Sequence, residues 1–217
     1  MQKKVFALLL SLLFFVGYAM AKTIDLPQPK TKGKVSVEEA IKLRRSERSF
    51  YSTPLTKEQI AQLLWACQGI TDPQWEFRSV PSAGAIYPLE IYVADRNGVY
   101  HYLPVKNKLE IMISEDKRSS ISRAALTQTF IEDAPLCIII TGSFKKTRDK
   151  YGIRAERYVF LEAGHAAENI HLQAVALGLG SVSVGTFWDD VISSALDLPP
   201  QNEPLYIIPI GYIKNEK

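Results

Sequence analysis

Arg44-Arg45-Ser46-Glu47-Arg48 places three guanidinium groups and a hydroxyl within five residues. Arginine keeps its charge and presents a planar fork of donors, so such a cluster suits the oxygens of a phosphorylated ligand. The same residues also suit the negative pole at a helix end or a solvated charged face, and on this stretch alone the readings stay open. A second stretch, Pro81-Ser82-Ala83-Gly84-Ala85-Ile86-Tyr87-Pro88, sets small residues between prolines. It forms a stiff, low ledge on which backbone donors and the Ser82 hydroxyl can approach a flat aromatic ligand. The plainer alternative is a turn into the strand that follows.

Metal and nucleophile chemistry fit less well. Glu162-x-x-His165 and Glu168-x-x-His171 have the spacing that puts a carboxylate and an imidazole on one helical face. Lying six residues apart on one helix, the two pairs are rotated by roughly 120° and cannot converge without a partner chain. Polar residues satisfied at an interface are the simpler explanation, and no metal is expected. Gly178-Leu179-Gly180 follows a helix instead of a strand and reads as a helix stop. No G-x-S-x-G elbow is present.

The elements that must position these stretches can be read along the chain. Ser36-Val37-Glu38-Glu39 predicts a capping box and a short helix that delivers the arginines; Thr56-Lys57-Glu58-Gln59 starts a second helix, with Ile60, Leu63, Leu64 and Cys67 on one face and Gly69 as its stop. Residues 71–88 carry no regular period and predict a long ordered or functional loop. Strands are predicted at 89–94, 99–103, 136–141, 181–184 and 205–210, with Asn97-Gly98 as a type I′ hairpin signal and the isoleucine run of 136–141 buried on both faces. Short helices are predicted at 119–126 and 189–196. From about Ala155 to Leu177 a proline-free segment, apolar around much of its circumference, predicts a long buried helix whose small residues Ala163, Gly164, Ala166 and Ala167 let another helix approach. The class is α+β.

At 217 residues, 47% hydrophobic and 23% charged, the chain fits one substantial domain. Lys3 and Lys4 precede an apolar run from Val5 to Val16 and an Ala19-x-Ala21 site, so residues 1–21 read as a cleaved export signal, 22–34 as a flexible or extended lead-in and 35–217 as the single domain. The expected location is periplasmic or extracellular, with no membrane attachment after cleavage. Losing two lysines and no acids lowers the formal charge from +3 to +1, which leaves no electrostatic footprint for nucleic acid. Cys67 and Cys137 each sit in an apolar run and read as buried thiols, although export would permit a disulfide.

Taken together, the arginine stretch, Leu64-Trp65-Ala66-Cys67-Gln68-Gly69-Ile70-Thr71, the Pro81–Glu90 ledge, Lys150-Tyr151-Gly152, Leu161-Glu162-Ala163-Gly164-His165, Ala176-Leu177-Gly178-Leu179-Gly180 and Ile208-Pro209-Ile210-Gly211 resemble, in order, the nitroreductase superfamily. More narrowly, the chain resembles the branch containing SagB-type azoline dehydrogenases. The resemblance implies a nitroreductase-like fold: a central mixed or antiparallel sheet flanked by helices, one long central helix, and FMN held between the subunits of a homodimer. Arg44 and Ser46 would meet the phosphate and ribityl chain, with Arg45 beside them and Arg48 near the pyrimidine end of the flavin. Pro81, Ser82, Ala83 and Gly84 would contact the ring from the other subunit, and Ser183, Val184 and Gly185 would cover its far side. The tail Tyr212-Ile213-Lys214 departs from relatives that place an arginine there, making Lys214 the candidate phosphate contact.

The activity so implied is ping-pong hydride transfer, with NAD(P)H as donor and a nitroaromatic, quinone or similar small molecule as acceptor. Lys150-Tyr151 resembles the proton-removing pair of azoline dehydrogenases, which leaves open a dehydrogenase of a cyclised or peptide substrate. A non-catalytic flavin-binding or scaffold protein is the third alternative. A lysine serves as a base only where burial lowers its pKa. Export sets the chain apart from azoline dehydrogenases, which work in cytoplasmic complexes.

Overall fold

A computed structural model describes residues 22–214, so the expected export signal lies outside the described residues. In chain order the elements are β1 Thr23–Asp25, α1 Val37–Leu43, β2 Phe50–Tyr51, α2 Lys57–Gln68, β3 Ile70–Asp72, β4 Phe77–Arg78, β5 Leu89–Asp95, β6 Gly98–Leu103, β7 Lys108–Ile113, α3 Arg118–Ala124, α4 Phe130–Asp133, β8 Leu136–Gly142, α5 Phe144–Tyr151, α6 Ala155–Ala176, β9 Gly180–Ser181, α7 Asp189–Ala195 and β10 Glu203–Ile213. The main sheet runs β1-β7-β6-β5-β8-β10-β2, with β9 beside β10. All of its strand pairs are antiparallel.

The central strand β8 shows how the sequence builds the layers. Each of its residues is buried, and successive side chains point to opposite faces. Ile138 and Ile140 join Ile91, Val93, Ile208 and Ile210 under α2 and α6. Cys137 and Ile139 join Tyr92, Ala94 and Ile207 under α3, α4 and α7. The α+β class and the long helix are as the sequence predicts. Ala163, Ala166 and Ala167 are buried within the chain's own core, so the close approach they permit is made inside the subunit. Gly164 is exposed, with nothing within 4 Å of where a Cβ would stand.

Both helix starts are capped, although the box predicted at Ser36–Glu39 forms only its Ser36 half. The Ser36 hydroxyl accepts from Glu39 N at 3.1 Å, and Thr56 and Gln59 make a reciprocal capping box at 3.2 and 2.9 Å. Of the flexible or extended lead-in, Thr23–Asp25 is extended as β1, paired with β7 at the sheet edge, and Lys30 N donates to Gln62 Oε1 at 2.8 Å. Several expectations change. The 71–88 loop contains the small β3–β4 hairpin. The β5–β6 turn is Arg96–Asn97, flanked by the Asp95–Gly98 pair, and neither residue has positive φ, so it is not type I′. The Asp95 carboxylate instead accepts from Asn97 N at 2.7 Å and Gly98 N at 3.1 Å. The strand predicted at 181–184 shortens to β9, with Val184 held separately to Ile207. Cys67 and Cys137 are free and buried. Among the described residues, no helix is long and apolar enough to cross a membrane.

Candidate active site

Arg44 caps the C-terminal end of α1, where its backbone N–H donates to Ala40 O. From there the chain runs extended past β9: Ser46 bridges Ser181, and Glu47 N donates to Ser181 O at 3.1 Å. The next residues enter β2, whose register sets Tyr51 opposite Tyr212 and Phe50 opposite Ile213, and Lys214 N donates to Ser49 O at 2.9 Å. One strip therefore carries Arg44, Arg45, Ser46, Arg48 and Lys214.

Little in this strip offsets its charge. Among the described residues, Arg44 Nε approaches one carboxylate, Glu168 at 3.8 Å, and both side chains are partly solvated. Arg45 Nη1 donates to the carbonyls of Lys42 and Arg44 at 3.0 and 2.7 Å, which is the helix-end role open from sequence. Arg48 Nη1 reaches Ser46 O at 3.5 Å, and its guanidinium lies over the Phe130 ring at 5.9 Å from the centroid. The Lys214 ammonium is 5.9 Å from the centre of the Tyr51 ring. Exposed cations with weak internal partners fit a phosphate.

Beside the strip, the chain after β9 brings Ser183, Val184 and Gly185 together. The Val184 side chain is in the core and both its backbone groups bond Ile207, at 2.8 and 3.0 Å, so Val184 serves the fold. Ser183 is half-buried and Gly185 exposed. Sequence reasoning missed what holds them: His171 of α6 contacts Ser181 Oγ through Nδ1 at 2.7 Å and Ser183 Oγ through Nε2 at 2.8 Å. Burial, and then the charge of Arg44, lower its pKa to about 4, so the imidazole is neutral near pH 7. The only sequence signal was its place in a Glu-x-x-His pair. In the fold, Glu162 and His171 are buried while His165 and Glu168 are exposed, which splits both pairs.

The ledge forms a separate half. Ser82 Oγ accepts from Tyr87 N at 2.9 Å, and Gly84 takes φ 64°, within a tight turn over Ala83–Ala85. Pro81 and Gly84 are exposed, and Ser82 and Ala83 half-buried. The Lys150–Tyr151 pair, at the end of α5, sits directly on Gly84: a Cβ added there would lie 2.5 Å from Lys150 Nζ and 2.6 Å from the Tyr151 hydroxyl. The structure thus brings Lys150, Tyr151 and the ledge together. Lys150 is exposed in the single chain, so the burial that a basic lysine requires would have to come from a second subunit or a substrate.

Behind the ledge lies Glu162, 3% exposed, with Gln68 Nε2 at 3.5 Å and Arg78 bonded to Gln68 Oε1 at 3.0 Å. Burial raises its carboxyl to about 7, against the opposing influence of Ser82, Gln68 and Arg78. The folded state therefore keeps a proton that the unfolded chain releases near pH 4.5. Stability should fall as pH rises from about 4.5 to 7 and level off above, by up to about 3 kcal/mol from this group. Denaturant melts of Glu162→Gln against the parent across this range should show the slope reduced; an unchanged slope would mean that Glu162 titrates normally.

The two halves stand on opposite sides of α6. Glu162 and His171 are nine residues apart on this helix, which at helical rise and rotation separates them by about 13 Å and half a turn. Helices cover both faces of the antiparallel sheet, giving an α+β domain that carries the cationic strip at one site and the small-residue ledge at another. A family model described as Nitroreductase family matches residues 41–212, and the chain belongs to that family. A protein of Methanocaldococcus jannaschii named as a nitroreductase is 39% identical over 198 residues, covering 88% of this chain and 98% of its own length. Microcin B17-processing protein McbC of Escherichia coli is 25% identical over 175 residues, 75% of this chain and 64% of its own. Among solved structures, a nitroreductase-family protein of Ralstonia eutropha superposes with TM-score 0.82 at 29% identity, covering 89% of this chain and 90% of its own.

Proposed function

We propose that the protein is an FMN-dependent oxidoreductase acting as a homodimer, with NAD(P)H as donor and a nitroaromatic, quinone or similar small molecule as acceptor. The observation that carries this reading is the separation of the cationic strip and the ledge on opposite faces of α6. Neither half makes a complete flavin site, but the strip of one subunit and the ledge of another would. Between them α6 exposes Phe160 and Leu161, 55% and 53% accessible, around the bare Gly164, and Ile153 lies fully exposed just before the helix. Such a surface suits a second copy of the chain.

FMN bound there would supply two-electron hydride chemistry through a ping-pong cycle. Arg44, Ser46 and Lys214 would hold its phosphate and ribityl chain, with Arg45 buttressing the end of α1. Arg48 would place a positive charge at the pyrimidine end of the ring. Pro81 to Gly84 would limit the space over one ring face and keep water from it. The expected export signal would place this activity outside the cytoplasm.

The purified dimer should be yellow, with flavin absorption bands, and anaerobic NADPH should bleach them. A colourless protein that takes up no added FMN would sink the proposal, and a bound flavin that no donor reduces would favour a scaffold role. Arg48→Ala should slow flavin reduction about ten-fold while FMN affinity stays within about three-fold, since the cation acts on charge that develops during reduction. Stopped-flow reduction and fluorescence titration measure the two, and an equal loss in both would assign Arg48 to anchoring alone.

The contact of Lys150 and Tyr151 with Gly84 favours a second reading, in which the pair removes a proton from a cyclised or peptide substrate as hydride leaves it. Lys150→Ala should then abolish dehydrogenation and leave FMN bound, whereas NAD(P)H-driven reduction of a quinone should survive.

A further inference from the structure

The His171 network has a direction that the positions of its protons determine. Neutral imidazole offers one N–H and one lone pair, and His171 is neutral near pH 7. Ser181 is 3% exposed, and among the described residues its hydroxyl meets one partner, His171 Nδ1 at 2.7 Å. If Nδ1 carried the proton, the buried Ser181 O–H would have no acceptor, which native interiors avoid. Ser181 therefore donates to Nδ1, and Nε2–H donates to Ser183 Oγ at 2.8 Å. The Ser183 hydroxyl has its oxygen engaged and, among the described residues, no acceptor for its proton. Ser183 is half-buried, on the segment running from Ser181, which itself abuts Ser46 and Glu47. Each bond in such a chain polarises the next, so this O–H is a stronger donor than an isolated serine.

We infer that Ser181, His171 and Ser183 form a relay that aims a polarised hydroxyl donor at an acceptor atom of the flavin ring and thereby favours the reduced, electron-rich form. Ser183 is the binding residue and His171 its positioning residue. The inference rests on the FMN reading above. Its consequence is thermodynamic: the donor holds reduced flavin more tightly than oxidised flavin, because hydrogen bonds strengthen as negative charge grows on the acceptor.

The test uses the flavin-loaded protein, with the midpoint potential of bound FMN measured by equilibration with a reference dye and the affinity for oxidised FMN by fluorescence quenching. Ser183→Ala should weaken the preference for reduced flavin about ten-fold, which for a two-electron couple lowers the potential by about 30 mV. Affinity for oxidised FMN should stay within about two-fold. His171→Ala should lower the potential similarly in the native background and add nothing in the Ser183→Ala background, whereas independent effects would add. If His171→Ala does not fold, Ser183→Ala alone decides, since its hydroxyl is only half-buried. A Ser183→Ala protein that binds FMN at the native potential overturns the relay. A native protein that takes up no FMN overturns the flavin reading itself.

Discussion

Arg44→Ala is expected to weaken FMN binding by about 10- to 100-fold while leaving the fold intact. The size follows from chemistry: a charge-assisted bond to phosphate contributes about 1.5–3 kcal/mol, and arginine makes it bidentately. The fold should tolerate the change because, among the described residues, the guanidinium has one ion-pair partner, Glu168 at 3.8 Å, with side-chain exposures of 35% and 52%. Pairs of that kind contribute little to stability. Arg44→Lys, which keeps the charge and loses the fork, should fall between the two proteins. Removing Arg44 also relieves one cause of the low His171 pKa, the larger cause being burial, so His171 should take up a proton at a somewhat higher pH in the variant. Fluorescence titration at two salt concentrations checks the assignment. The native protein should lose affinity with salt more steeply than Arg44→Ala, and equal affinities would remove Arg44 from the site.

The parts of the fold legible in the sequence are those governed by local chemistry. Ser36 and Thr56 announce their helices through hydroxyls that bond the backbone three residues on, a signal complete within one turn. The isoleucines of β8 and the proline-free span of α6 announce themselves by length and apolarity. What was not legible depends on distant partners. β1 and β2 are three and two residues long and exist because β7 and β10 offer them an edge. β7 itself alternates Leu109, Ile111 and Ile113 with other residues, but Met112 blurs the polar positions. The β5–β6 turn defeats the Asn-Gly rule because the Asp95 carboxylate takes over its geometry.

The site divides in the same way. The arginine strip and the ledge are contiguous in sequence and could be read from residue type. The His171 network could not, because Ser181 and Ser183 return to α6 only after the chain reverses past Gly178, whose φ is 73°. Glu162 likewise looks like half of a metal pair until burial separates it from His165. Residue spacing along a helix says which groups share a face, but not which face the core will cover.

Gly84→Ala should cost little stability and much turnover, a combination that follows from where the new methyl must go. The backbone at Gly84 has φ 64° and ψ 23°, a left-handed conformation that costs an alanine about 1–2 kcal/mol. In a domain of this size the loss corresponds to a melting point lower by about 2–8 °C. The methyl carbon would stand 2.5 Å from Lys150 Nζ, 2.6 Å from the Tyr151 hydroxyl and 3.2 Å from Lys150 Cε. All three atoms lie at or near the free ends of side chains, so the clash is relieved by moving Lys150 and Tyr151 and not by moving the backbone. Misplacing a reacting group by about 1 Å costs on the order of 100-fold in rate. If the pair moves a proton during turnover, Gly84→Ala should therefore slow dehydrogenation of a cyclised substrate about 100-fold, with FMN still bound. Combining Gly84→Ala with Lys150→Ala should cost no more turnover than Lys150→Ala alone, because a group that the methyl displaces is already absent. A Gly84→Ala protein with native turnover would show that Lys150 and Tyr151 support the ledge without taking part in the chemistry, and would leave NAD(P)H-driven reduction as the reading of the site.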